Sequence, residues 1–140
     1  MLPLRIVIAG VCAGIVANVT GYLITGRLFH RYQALTPGTW RRGESWHQYL
    51  GSSAIRLAAC VGIAALYYGC GERLAAHALG PLAAAAAFGA ALWAVTALPL
   101  VAESALFVNW HPGFVAGLLL DWLVVAVVAC AAVGLTQGPA

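Results

Sequence analysis

Asn18, Arg56 and Asp121 stand deep inside stretches of sequence that are otherwise apolar, and each is a side chain that hydrocarbon penalises. A guanidinium and a carboxylate neutralise one another, and an amide beside them can satisfy the donors and acceptors left over. Taking Gly26, Gln48 and Gly113 as rough span ends, each of the three lies about 12 Å inside its span at about 1.5 Å per residue. Successive spans alternate in direction, so these ends face one side and the spacing predicts a common polar layer. Two uses stay open for it: an ion pair that fixes helix register, or a binding site for a small solute, ion or proton.

On the same side lie Glu103, Asn109, Trp110 and His111, together with His30, Glu44 and His47, placed to line the mouth of a cavity above that layer. Imidazole and carboxylate groups also suit zinc or non-haem iron, which makes His30, His47 and His111 candidate metal ligands with Glu103 beside them. No H-x-x-H or H-E-x-x-H motif supports them. A bis-histidine haem needs histidines at matched depth on facing helices, whereas the four here sit at span ends and His77 belongs to the opposite side. No cofactor is therefore predicted.

Other chemistries are excluded or unsupported. All basic side chains are arginine, so a lysine nucleophile or Schiff base is ruled out. Cys12, Cys60, Cys70 and Cys130 form no C-x-x-C pair, although Cys70 and Cys130 approach one face, where a disulfide stays open. Gly43-Glu44-Ser45-Trp46-His47 falls one residue short of G-x-S-x-G and lacks its strand-to-helix setting. Enzymatic activity is not the favoured expectation.

The elements that hold these residues follow from composition. Hydrophobic residues make up 63% of the chain and charged residues 8%, where soluble domains carry about a quarter charged. Apolar runs at residues 4–25, 49–70, 78–101 and 114–135 each have the length to cross about 30 Å of hydrocarbon. We expect an all-α fold, a four-transmembrane-helix up-and-down bundle forming a single domain over residues 1–140. The first run has no A-x-A cleavage site, and Val11 precedes Cys12 where a lipoprotein signal needs a small residue, so it is expected to be retained.

Between the first two spans, Leu28, Phe29, Tyr32 and Leu35 fall at helical spacing beside Arg27 and Arg31, which predicts an interfacial amphipathic segment over residues 26–35. Thr36-Pro37-Gly38 then reads as a turn. Trp40, Trp46, Tyr49 and Trp110 are expected as anchors at headgroup level. Ser45 followed by Gln48 is a capping-box pattern that starts the second span. Small residues at Gly10, Gly14 and Asn18, and at Gly62, Ala65 and Gly69, can let helices approach closely, inside the bundle or between subunits. Arg27, Arg31, Arg41 and Arg42 crowd the first loop, against Arg73 in the second and Arg5 at the N-terminus. The positive-inside rule then puts the first loop in the cytoplasm of a bacterium, the protein in its inner membrane and both termini outside.

The segment GYLITGRLFHRYQALTPGTWR and the later FVAGLLLDWLVVAVV resemble small four-span bacterial inner-membrane proteins of unknown function. That resemblance implies a compact four-helix membrane protein and carries over no site residues. Three functions remain: binding or transport of a small solute, ion or proton through the polar layer; a non-enzymatic accessory subunit of a larger membrane complex; or a membrane metalloprotein or enzyme using the histidines and Glu103. The expected partners are the bilayer and either further copies of the chain or a larger complex, with no nucleic acid.

Overall fold

The computed structural model describes residues 3–39, 45–71 and 80–136. Four helices are long and apolar enough to cross a membrane: Leu4–Leu28, Trp46–Cys70, Pro81–Phe107 and Pro112–Thr136. Among the described residues there is no strand. Trp40, Arg41, Arg42, Gly43, Glu44, Arg73 and His77, each named above, lie outside the described residues.

The first span is α1 (Leu4–Leu23), which widens into a π turn over Ile24–Leu28, where the Phe29 N–H donates to the Ile24 carbonyl at 2.9 Å. The chain then tightens into 3₁₀ turns at His30–Leu35 and Pro37–Thr39. Residues 26–35 thus do not continue the α-helix. Leu28 and Leu35 are exposed, while Phe29 and Tyr32 turn inward to the last span, so the four apolar positions do not share one face. The second span opens at α2 (Trp46–Leu66) on a capping box, with the Ser45 N–H donating to Gln48 Oε1 at 2.9 Å, and ends in a π turn at Tyr67–Gly71.

The third span is bent. Its two pieces, α3 (Pro81–Val95) and α4 (Ala97–Phe107), meet at Thr96, whose hydroxyl donates to the Leu92 carbonyl at 2.6 Å. Pro99 has no N–H to return to the Val95 carbonyl and its ring crowds that turn, which is the usual cause of such a bend. With both pieces counted, the span reaches Phe107 rather than the expected residue 101. The fourth span, α5 (Pro112–Thr136), is unbroken.

Helix α5 is the hub. It packs against α1, α2, α3 and α4, while α1 and α2 form one close pair and α3 sits on the other side of α5. The buried layer is built mostly of alanine: Ala9, Ala13, Ala17, Ala64, Ala85, Ala126 and Ala129, with Ile6, Cys60, Val125, Cys130 and Val133 between them. In lipid there is no hydrophobic gain from pairing helices, so contact must come from close van der Waals fit. A Cβ on Gly10 would lie 2.7 Å from the Val61 Cα, and one on Gly89 would lie 2.7 Å from the Ala126 carbonyl oxygen. The Gly10–Gly14 stripe therefore packs inside the bundle, whereas Gly62 and Gly69 would meet nothing within 4 Å.

Candidate functional site

Arg56 and Asp121 meet edge to edge. Arg56 Nη1 donates to Asp121 Oδ1 and Nη2 to Oδ2, both at 2.7 Å, and Asp121 is wholly buried while the Arg56 side chain keeps 14% of its surface. Arg56 lies about 15 Å beyond the start of α2, and Asp121 about 13 Å beyond the start of α5, at about 1.5 Å per residue. Each depth is about half of the roughly 30 Å that a membrane-crossing helix has to span. That is slightly deeper than the spacing alone predicts, because both helices begin before the span ends assumed from sequence.

Three neighbours shape the pair. Gly21 lies against the guanidinium so closely that a Cβ there would come within 2.6 Å of Nη1. The Ala17 carbonyl accepts a longer bond from Nη1 at 3.4 Å, and the Trp122 ring centroid is 5.9 Å from Cζ, within reach of a cation–π contact. Arginine carries five N–H donors in a fixed plane. The Nη1–Nη2 edge is taken by Asp121, which leaves the Nε–H and the second Nη2 hydrogen without an acceptor among the described residues.

A cavity of about 370 Å³ reaches Arg56 from the start of α2, lined by Gln48, Gly51, Ser52, Ile55, Arg56 and Trp122. Residues 48, 51, 52, 55 and 56 repeat at helical spacing, so one face of α2 supplies this wall and α5 supplies Trp122. A second, apolar groove of about 530 Å³ runs between α2 and the bent third span, with Trp122 and Ala126 of α5 in its wall. Trp122 borders both.

Asn18 does not join the pair. Its Nδ2 donates to the Gly14 carbonyl at 2.8 Å and reaches the Ser53 carbonyl at 3.5 Å, so it ties α1 to α2 about one turn toward the first loop. Glu103 is exposed on α4. The three histidines are held apart from one another. His30 is exposed, His47 lies against Trp46 with ring centroids 3.8 Å apart, and His111 stacks on Tyr32 at 4.7 Å while its Nδ1 accepts from the Gly113 N–H at 3.0 Å. No group of three or more His, Cys, Asp or Glu side chains converges among the described residues. Glu44-Ser45-Trp46-His47 does have E-x-x-H spacing, which di-iron bundles use on paired helices, but Glu44 is outside the described residues. All four cysteines are free thiols, with Cys60 and Cys130 in the core. Trp46 and Tyr49 are exposed on the first turn of α2, and Trp110 packs edge-on to Phe114 at 5.9 Å.

The first and third loops are joined over this end of the bundle. Phe29 fills the notch at Gly117, one helical turn from Asp121, and Tyr32 fills the one at Gly113. The Thr39 hydroxyl donates to the Asn109 carbonyl at 3.0 Å. Sequence reasoning missed Gly21, Trp122 and these two notches, although Gly113, Gly117 and Asp121 do recur at intervals of four. No family model, curated protein or solved structure matches the chain.

Proposed function

We propose that this chain is a small inner-membrane protein that binds a small polar solute at the intramembrane Arg56–Asp121 pair. The observation that carries this is the divided guanidinium: one edge is committed to Asp121, while the other has two donors without an acceptor in a side chain that borders a 370 Å³ cavity. Register alone needs only the first edge. No buried side-chain nitrogen or oxygen among the described residues lacks a partner, so the free edge of Arg56 is accessible and a bound acceptor can reach it.

Binding is favoured over a standing pore because Asp121 has no exposed surface and Phe29 packs one turn from it. If solute crosses the membrane, a chain of this size would do so as an oligomer. Only 11% of the second span's apolar window is buried within the chain, against 39% for the first and fourth, so an oligomer contact would use the part of α2 that lies outside the groove. The first loop is assigned to the cytoplasm from Arg27 and Arg31 with their sequence neighbours Arg41 and Arg42.

The side-chain ¹⁵Nε–¹H signal of Arg56, assigned by its loss in Arg56→Lys, tests the binding site directly. A shift of that one arginine signal on titration with a small carbonyl or hydroxyl compound is the expected result. Unchanged shifts across such a panel would leave the pair a purely structural clamp.

A further inference from the structure

Building on the ligand-binding role proposed for Arg56, we infer that the ligand is an uncharged lipid-like amphiphile that enters sideways from the bilayer. Its oxygen-bearing head would meet the free edge of Arg56 and its apolar tail would lie in the groove between α2 and the third span.

Continuity is the first support. Trp122 lines both the polar cavity at Arg56 and the 530 Å³ groove, so a head at Arg56 and a tail in the groove would lie on either side of one indole ring. Each volume falls within the roughly 300–1,000 Å³ typical of small-molecule sites. The groove wall is mostly apolar: the Thr96 hydroxyl is given to the Leu92 carbonyl and the Trp93 indole N–H to the Leu119 carbonyl, which leaves the Trp122 indole as its other polar group. It offers a tail a contact surface and carries no charged side chain. The break at Thr96 lies in the groove wall, and the Tyr67–Phe88 contact, centroids 5.3 Å apart, bridges the π turn that ends the second span to α3.

Charge selects the head. Asp121 already compensates Arg56, and the other residues lining the polar cavity, Gln48, Gly51, Ser52, Ile55 and Trp122, are uncharged. An anionic head would bring a net negative charge to the middle of the hydrocarbon with no cation to meet it. An ester, amide or ketone oxygen instead accepts from Nε and Nη2 and leaves the site neutral. Gln48 and Ser52 can take hydroxyl groups nearer the surface.

The test uses a monoacylglycerol carrying a diazirine midway along its chain, photolysed with the intact protein in nanodiscs, beside the matched free fatty acid at pH 9. Labels are expected on groove residues such as Gly62, Leu66, Leu92 and Ala97. The carboxylate should label them about tenfold less, reflecting its uncompensated charge. Gly62→Leu puts a side chain into the groove at a position where a Cβ meets nothing within 4 Å, and it should abolish the labelling while the protein stays folded. Arg56→Lys keeps a charge for Asp121 but removes the second donor edge, and it should lower labelling about tenfold.

Labels spread evenly over all lipid-facing helices, or unaffected by Gly62→Leu, would overturn the inference. Equal labelling by the carboxylate would overturn the choice of an uncharged head. Glyceryl monoacetate, which has a head and no tail, separates this inference from the role it rests on. If it shifts the Arg56 Nε signal while the long-chain probe does not concentrate in the groove, the polar site stands and the amphiphile falls; if neither probe responds, both fall.

Discussion

Gly21 of α1 faces the Arg56 guanidinium so closely that a Cβ at position 21 would lie 2.6 Å from Nη1 and 2.7 Å from Cζ. The space that a glycine leaves on one helix is what allows the side chain of another to lie flat against it and present an edge to Asp121. Gly21→Ala should therefore tilt the guanidinium out of its two-bond arrangement and cost about 1–3 kcal/mol of stability. Gly62→Ala, where a Cβ meets nothing within 4 Å, should be neutral or stabilising by up to about 1 kcal/mol. Unfolding of the two variants in mixed micelles compares them, and an equal gain in both would show that helix propensity alone is at work.

Breaking the pair from one side should cost more than removing it. Asp121→Leu leaves Arg56 uncompensated in hydrocarbon and is expected to destabilise by about 3–5 kcal/mol, whereas Arg56→Leu with Asp121→Leu should recover most of that loss. Reversible unfolding in micelles would measure both, and a double variant as unstable as the single one would mean that the pair contributes more than charge compensation. Small-solute binding should be absent from the double variant even where its fold is sound.

The first loop should come free when its notch is filled. The Cβ of a Gly117→Val side chain would overlap Phe29, so Phe29 must leave, and residues 29–35 would lose one of their two ring contacts with α5. Limited trypsin digestion is expected to cut faster after Arg27 and Arg31 in that variant, while the four spans remain intact. An unchanged rate would show that the Tyr32–His111 stack and the Thr39 hydrogen bond hold the loop on their own.

Pro99→Ala should straighten the third span by restoring an N–H for the Val95 carbonyl. Amide exchange at residues 95–100 is expected to slow, and labelling of the apolar groove by a diazirine lipid should fall as α4 closes toward α2. Exchange that stays fast would assign the bend to Thr96 rather than to the proline.

Arg56 and Asp121 were legible as partners because charge inside an apolar run is rare, and because equal depth on antiparallel spans follows from counting residues. Their neighbours were harder to foresee. Whether Gly21, Trp122 or Asn18 faces the pair depends on how each helix is rotated about its axis, and in spans apolar on every side no hydrophobic face records that rotation. Asn18 illustrates the problem: it has the right depth, but its amide donates to the Gly14 carbonyl of its own helix and, at longer range, to that of Ser53. The loop failed for a different reason. Leu28, Phe29, Tyr32 and Leu35 carry helical spacing, yet two aromatic rings gain more from the notches at Gly113 and Gly117 than from continuing an α-helix. The bend in the third span was readable in Pro99, but its consequence, a groove against α2, required knowing which helices are neighbours.

The pairing of a cation on the second span with a carboxylate 65 residues later has a consequence for biogenesis. At roughly 5–20 residues per second, the ribosome delivers Asp121 about 3–13 s after Arg56. Through that interval the first two spans carry a bare guanidinium that lipid disfavours, so the α1–α2 hairpin should stay beside the insertion machinery until the last helix arrives. A chain truncated before that helix would display its incompleteness as an unmet charge in the bilayer, a signal that membrane quality control can read.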